Sequence, residues 1–437
     1  MTWNNASRQV SIARMSNWKF LSVVTWLLAF TAGTLNAQNV VTDWTAIAST
    51  TIIKNGGTPP GASAVYFAYA AIAAYDAVNS IDRRYQPFYY FGTAEADVSA
   101  EAAAVAAAHR VLVNYFPNQQ AALDDQFTAS LAAIHATDDS KAAGVSVGET
   151  SAETLIATRA NDGLNAGVTY TPLSGPGYWQ PTPPKFSPAL TPWLGQMEPF
   201  TMTSASQFLP AGPTPLDSQR WKHDYNLTRR LGKIDSTKRT AAQTEIGLFW
   251  TEHSQQQDAR AFQYLAANNN LNVLDTARLM AILWTGTADS AIGCLNAKYT
   301  YSFWRPVTAI RAGGGDGLPA DPNWVPLGTT PSHPEYPAAH TCITSTESHL
   351  IEGYFGTSRV QVVVDSQVFP EGTHTHVFGD THELLEEVFW ARIYAGFHFR
   401  HSLEDGSELG KKIARQLLHD HFRPLRERDS ASPELKR

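Results

Sequence analysis

Three short segments in the C-terminal third of this 437-residue chain combine long cationic side chains with histidine. The first runs from Lys298 to Arg305 and Pro306, the second from Tyr336 through Pro337, Ala338 and Ala339 to His340, and the third from Arg392 to His398. Ten of the fourteen histidines fall between His333 and His421, which directs attention to the same region. Lysine and arginine neutralise an oxyanion, the planar guanidinium offering a two-pronged donor, while imidazole can serve as nucleophile, ligand or acid/base. Seven residues turn a continuous helix by about 700°, so Lys298 and Arg305 are expected two turns apart on one face, converging on one anion, with Pro306 at the end or kink of that helix. A solvated face with scattered charge is the plainer reading, but Tyr301, Phe303 and Trp304 make the setting too aromatic for it. Arg392 and His398 differ by about 120° on an ideal helix, so Gly396 is expected to break the turn.

Any one of these spacings is weak evidence. With 22 Arg and 14 His, an Arg-x5-His match arises about 0.7 times by chance, whereas Lys-x6-Arg-Pro arises about 0.03 times. The order and combination carry the signal. Lys298-x6-Arg305-Pro306, Pro337-x-x-His340 and Arg392-x5-His398 resemble the three-part signature shared by vanadium-dependent haloperoxidases and type-2 phosphatidic acid phosphatases. The stretch from Lys298 to Arg311 and the run His333-Pro-Glu-Tyr-Pro337 are similar to the soluble bacterial haloperoxidase branch.

The resemblance implies an exported enzyme that oxidises halide with hydrogen peroxide at histidine-bound vanadate. It implies that Lys298, Arg305, Ala339 (through its backbone N–H) and Arg392 surround the oxyanion, that His398 bonds the vanadium, that His340 is the acid/base, and that Lys298 polarises bound peroxide. His333 matches a position where bromide-oxidising relatives carry histidine, which favours bromide or iodide. The small-molecule partners would be peroxide, halide and an organic acceptor. Phosphate fits the same site, so an acid phosphatase working through a phosphohistidine is the alternative, with an inactive oxyanion-binding relative as the third reading.

Two departures stand out. The family usually has Ser-Gly before the acid/base histidine, where this chain has Ala338-Ala339. Losing one charge-assisted hydrogen bond, worth roughly 1.5–3 kcal/mol, predicts weaker vanadate binding without loss of the site. The aspartate expected four residues after His398 is Ser402, which counts against phosphate chemistry unless Glu404, Asp405 or a carbonyl orients the imidazole. His401 is open between a supporting role beside His398 and the surface. If the segments converge, Cys294 and Cys342 come within disulfide reach, and closing that loop would add roughly 4 kcal/mol; two buried free thiols are the equal alternative. From another class, His374, His376, Asp380 and His382 have spacing that a zinc or iron site could use.

The elements that must position these groups read as all-α: two packed helical bundles with a proline-rich arm, similar to the haloperoxidases. Residues 1–37 read as a signal peptide, Arg8, Arg14 and Lys19 preceding an apolar run to Leu35 and a small residue at Ala37, so the mature chain is expected to start at Gln38 and to be secreted or periplasmic. Residues 38–216 form an alanine-rich helical region with helices within Ala62–Val78, Glu101–Tyr115, Gln119–His135 and Ala142–Leu164, followed by the arm. Eleven prolines between Pro172 and Pro215 exclude helix or central strand, while Trp179, Phe186, Trp193, Phe200 and Phe208 demand packing. Residues 217–425 form a second bundle carrying the oxyanion site, and 426–437 a polar tail. A Gly/Pro-rich loop spans Gly313–Pro337, Val360–Val364 reads as a hairpin strand, and helices follow from His382 to Ala395 and from Glu404 to Phe422. With 17% charged residues, net charge −7 and pI about 6.0, the chain has enough apolar surface to fold and no signal for nucleic acid or an anionic membrane. No segment after Leu35 is long enough to span a bilayer; a homo-oligomer is compatible with the sequence.

Overall fold

The computed structural model describes residues 39–315 and 317–425, which fall in one compact unit. The expected signal peptide and polar tail lie outside the described residues. Among those residues there are thirteen α-helices and one two-stranded antiparallel hairpin, so the all-α expectation holds.

The first five helices are α1 (Val40–Ser49, extended by a π-turn), α2 (Ala62–Asp82), α3 (Ala100–Tyr115), α4 (Gln120–Ala133) and α5 (Asp138–Thr158). Alanine richness lets them approach closely. Gly144 and Gly148, one turn apart on α5, face α3 so tightly that an added Cβ would stand 2.4 Å from the Ser99 carbonyl and 2.3 Å from that of Ala103. The helix α9 (Val273–Tyr301) is buried along most of its length, packing α2 on one side and α11 (Ala339–Phe355) and α13 (Arg400–Asp420) on others. The remaining helices are α6 (Gln219–Leu231), α7 (Ala241–Phe249), α8 (Ser254–Asn268), α10 (Pro306–Ala312) and α12 (Thr381–Tyr394). The hairpin pairs β1 (Val362–Ser366) with β2 (His374–Phe378).

The proline-rich arm contains no α-helix, only a 3-10 turn at Pro192–Gln196, and is pinned to the helices. Asp289, buried in α9, accepts the amides of Phe200 and Thr201 at 2.6 and 2.8 Å. Arg159 donates to the Pro199 carbonyl at 3.2 Å. Trp179 is fully buried, as its type demanded, but Phe186 is 62% exposed and lacks the packing expected of it.

The arm also overturns the expected geometry of Lys298 and Arg305. They do not share a helix: α9 ends at Tyr301, Ser302 turns left-handed at φ 51°, and Phe303 pairs with Tyr178 of the arm in an antiparallel bridge. The Trp179 amide donates to Ser302 (2.7 Å) and that of Trp304 to Gly177 (3.0 Å), and these tertiary bonds replace the next helical turn. Pro306 is the first residue of α10, where its missing N–H costs nothing, and Arg305 is the cap of that helix. Helix α11 was not legible in the sequence, because Thr341, Ile343, Thr344 and Thr346 are β-branched and Ala338 caps it without a side-chain bond. Among the described residues no helix is long and apolar enough to cross a membrane.

Candidate active site

Three chain breaks bring the site together. Lys298 sits in the last turn of α9, Arg305 caps α10, and Arg392 lies in the last turn of α12. Gly396, with φ 77°, ends that run as expected; a Cβ there would lie 2.6 Å from the Gly232 carbonyl, so only glycine fits the turn that aims His398 inward. Ala339 and His340 open α11, and the first amides of a helix have no partner within it. The positive end of the helix dipole therefore faces the same place.

Lys298, Arg305, Arg392 and His398 are each no more than 2% exposed. Arg305 reaches His398 Nε2 at 3.3 Å with one Nη and His333 Nδ1 at 3.0 Å with the other. The His398 Nδ1 lies 2.9 Å from Glu335 Oε1, which also accepts the Phe399 amide at 3.0 Å. That arrangement places the proton on Nδ1 and leaves the Nε2 lone pair facing the guanidinium. His340, His333, Ala339, Arg392 and His398 line one cavity of about 980 Å³.

The local charge is unbalanced. Three cations converge with one buried carboxylate, Glu335, beside them. Burial depresses the Lys298 ammonium to about 8, with Arg305 adding repulsion; burial depresses Arg305 to about 10, and burial with Arg305 beside it brings Arg392 to about 9. His398, His340 and His333 are pushed well below their ordinary value, first by burial and then by these cations. His340 Nε2 and Arg392 Nε are buried without partners. A tetrahedral oxyanion fits this set, since it would supply negative charge, acceptors for Arg392 and for the α11 amides, and a centre for the His398 lone pair.

Lys298 is placed differently from the others. Its ammonium donates to the carbonyls of Pro334 (3.0 Å), Glu335 (2.9 Å) and Pro337, holding the segment that carries His333 and Glu335; neither it nor Arg305 is among the cavity-lining residues.

Neither Glu404 nor Asp405 takes over from the aspartate missing at Ser402. Glu404 pairs with Arg220 and Arg400, and Asp405 accepts from Tyr336 at 2.7 Å. Glu335 supplies that carboxylate from another segment, a role the sequence reading missed; its only signal was its place inside His333-Pro-Glu-Tyr-Pro337. Ser402 instead accepts the Ala338 amide through its carbonyl at 3.0 Å. His401 is a supporting residue, fully buried, with Nδ1 2.9 Å from Asp224 of α6 and its ring stacked near Tyr336. Cys294 and Cys342 are in hydrogen-bond contact as buried free thiols, not a disulfide. His374 and His376 pair with the carboxylates Glu245 and Glu387, and no group of three metal-binding side chains occurs among the described residues.

Residues 278–427, which include all three segments, match the family model of the VCPO second helical-bundle domain. A curated relative, the vanadium chloroperoxidase of Curvularia inaequalis, is 28% identical over 150 residues, covering 28% of this chain and 24% of that protein. The chain thus spans about a quarter of the length of the curated relative it matches. Among solved structures, a bacterial vanadium-dependent iodoperoxidase superposes with a TM-score of 0.74 at 21% identity, covering 88% of this chain and 96% of the other. The holo form of a bacterial vanadium-dependent chloroperoxidase gives 0.66 at 16% identity, covering 89% and 94%. The chain has the fold of these proteins.

Proposed function

We propose that this chain, a vanadium haloperoxidase by fold and by its C-terminal domain, oxidises halide with hydrogen peroxide when vanadate is bound. The observation that carries this reading is the buried cluster of Lys298, Arg305 and Arg392, whose positive charge Glu335 alone does not balance, at the start of α11. Bound vanadate would supply the Lewis-acid centre at which peroxide is activated toward halide. Arg305, Arg392 and the Ala339 amide would hold its oxygens, and His398 would offer it the Nε2 lone pair. Glu335 keeps the imidazole in that tautomer. His340, with its pKa lowered by burial and with Nε2 free, would be the group that takes up a proton and gives it back. Lys298 acts through the loop it ties down.

Bromide or iodide is the favoured halide. His333 lines the cavity and bonds Arg305, so the halide side of the site is an imidazole and not a plain hydrocarbon face. The N-terminal pattern of basic residues, apolar run and Ala37 supports export, and a secreted chain beginning at Gln38 is what N-terminal sequencing should find.

The direct test follows peroxide-dependent bromination of a dye and triiodide formation with and without orthovanadate. Vanadate-dependent turnover that disappears in His398→Ala supports the reading; no turnover at saturating vanadate refutes it. One observation favours a second reading. Because Glu335 orients His398, the imidazole is also set up to attack phosphorus, so hydrolysis of a phosphate monoester should be measured on the vanadate-free protein.

A further inference from the structure

The cavity is far larger than the inorganic chemistry needs. An oxyanion, peroxide and halide together fill on the order of 200 Å³, counting about 30 Å³ for each water-sized group. The remaining space, out of about 980 Å³, is the size of a site for an organic molecule. Its walls beyond the oxyanion site come from the arm, from α10 and from the loop through Leu327, and its lining includes the exposed Ile234 (54%) and Val325 (41%).

Charged side chains in this outer part are few, the other polar groups being neutral hydroxyls such as those of Thr182, Ser187, Thr329 and Ser332. Glu252 is the acidic residue of the lining and is neutralised by Arg260 at 2.9 Å. Lys185 of the arm and Arg311 of α10 have no carboxylate partner among the described residues. Arg311 is fixed, its Nε donating to the Trp324 carbonyl at 2.8 Å, which leaves both Nη groups for another acceptor. Val307 and Arg311 are one turn apart on α10 and both line the cavity. Arg305, the cap of α10, precedes Arg311 by six residues, about 9 Å of backbone rise, so the two lie toward opposite ends of this short helix.

We propose that the outer cavity binds the organic acceptor directly, and that the acceptor is a small aromatic acid whose carboxylate is held by Arg311 while its electron-rich ring lies over Val307 toward the oxyanion site. This rests on the haloperoxidase reading for its consequence, not for the binding itself. A hypohalous acid made at the inner end then meets a bound ring: the ring carbon forms a bond to halogen as the halogen–oxygen bond breaks, hydroxide leaves, and the ring proton joins it to make water.

The test is calorimetric titration of the full chain with 4-hydroxyphenylacetate and with its neutral amide, both vanadate-free and vanadate-loaded. The acid should bind at one site in both forms, and the amide at least tenfold more weakly. Arg311→Gln should bring the acid down to the level of the amide, while Arg311→Lys, which keeps the charge, should retain most of the difference. Apparent KM values for halogenation of the two compounds should follow the same order. Equal binding of acid and amide, no saturable binding of the acid, or equal loss for both compounds in Arg311→Gln would overturn the proposal. Triiodide formation without any acceptor reads the haloperoxidase reaction separately, so failure of that reaction and failure of the acceptor site give different results.

Discussion

Glu335 Oε1 accepts from both His398 Nδ1 and the Phe399 amide, so one carboxylate fixes the imidazole and the backbone that carries it. Removing its charge should loosen the tautomer that leaves Nε2 available. Glu335→Gln is expected to weaken vanadate binding about 10- to 100-fold, the usual cost of losing such a partner, with the helical circular dichroism unchanged. The opposite effect is expected at Ala338, which caps α11 without a side-chain bond. Ala338→Ser restores both a helix cap, worth about 1 kcal/mol, and a hydroxyl near the oxyanion; orthovanadate titration should show roughly tenfold tighter binding. Lys298, Arg305, Arg392, His340 and His398 stood out in the sequence because their spacing is short-range. Glu335 lies 63 residues from His398 and Asp224 lies 177 from His401, and no periodicity reports contacts of that kind.

Helix α11 shows what composition hides at the scale of an element. Its β-branched residues argue against helix, yet burial between α9 and α13 overrides propensity. Gly410 of α13 makes that packing close, since an added Cβ would lie 2.2 Å from the Cys342 carbonyl, two residues past His340. Gly410→Ala is therefore expected to cost about 2 kcal/mol or more, read as a lower denaturant midpoint, because backbone cannot move aside as a side chain can. Deeper on α11, burial raises the Glu347 carboxyl to about 8, despite its bond from Thr287 at 2.8 Å and with Asp258 nearby. A group protonated more readily when folded stabilises fully below its unfolded value and loses that contribution as pH rises through the folded one. Stability should thus fall between about pH 4.5 and 8, and Glu347→Gln should flatten that slope in denaturation series across the window. The arm was legible as ordered from its aromatics. Its pairing with Phe303, which separates Lys298 from Arg305 into two helices, was not, because isolated bridges leave no repeating pattern.

At the scale of the whole molecule, segments from distant parts of the chain serve one site, from the loop at Pro60 and Gly61 and the arm to α12. The central helix α9 carries Asp289, which anchors the arm; the arm forms a cavity wall; and the arm's bridge to Phe303 fixes where Arg305 starts α10. The helical class followed from alanine-rich, 3.6-residue periodicity, but the closeness of α2 and α9, some 200 residues apart, depends on packing that no local window contains. The central claim is that this assembly stores uncompensated positive charge around a lone-pair nitrogen in order to hold an oxyanion. Calorimetric titration of the protein with orthovanadate tests it most directly, with phosphate as competitor and His398→Ala alongside. One saturable site, displaced by phosphate and at least tenfold weaker in His398→Ala, is the predicted result; absence of binding, or equal binding by His398→Ala, would contradict it.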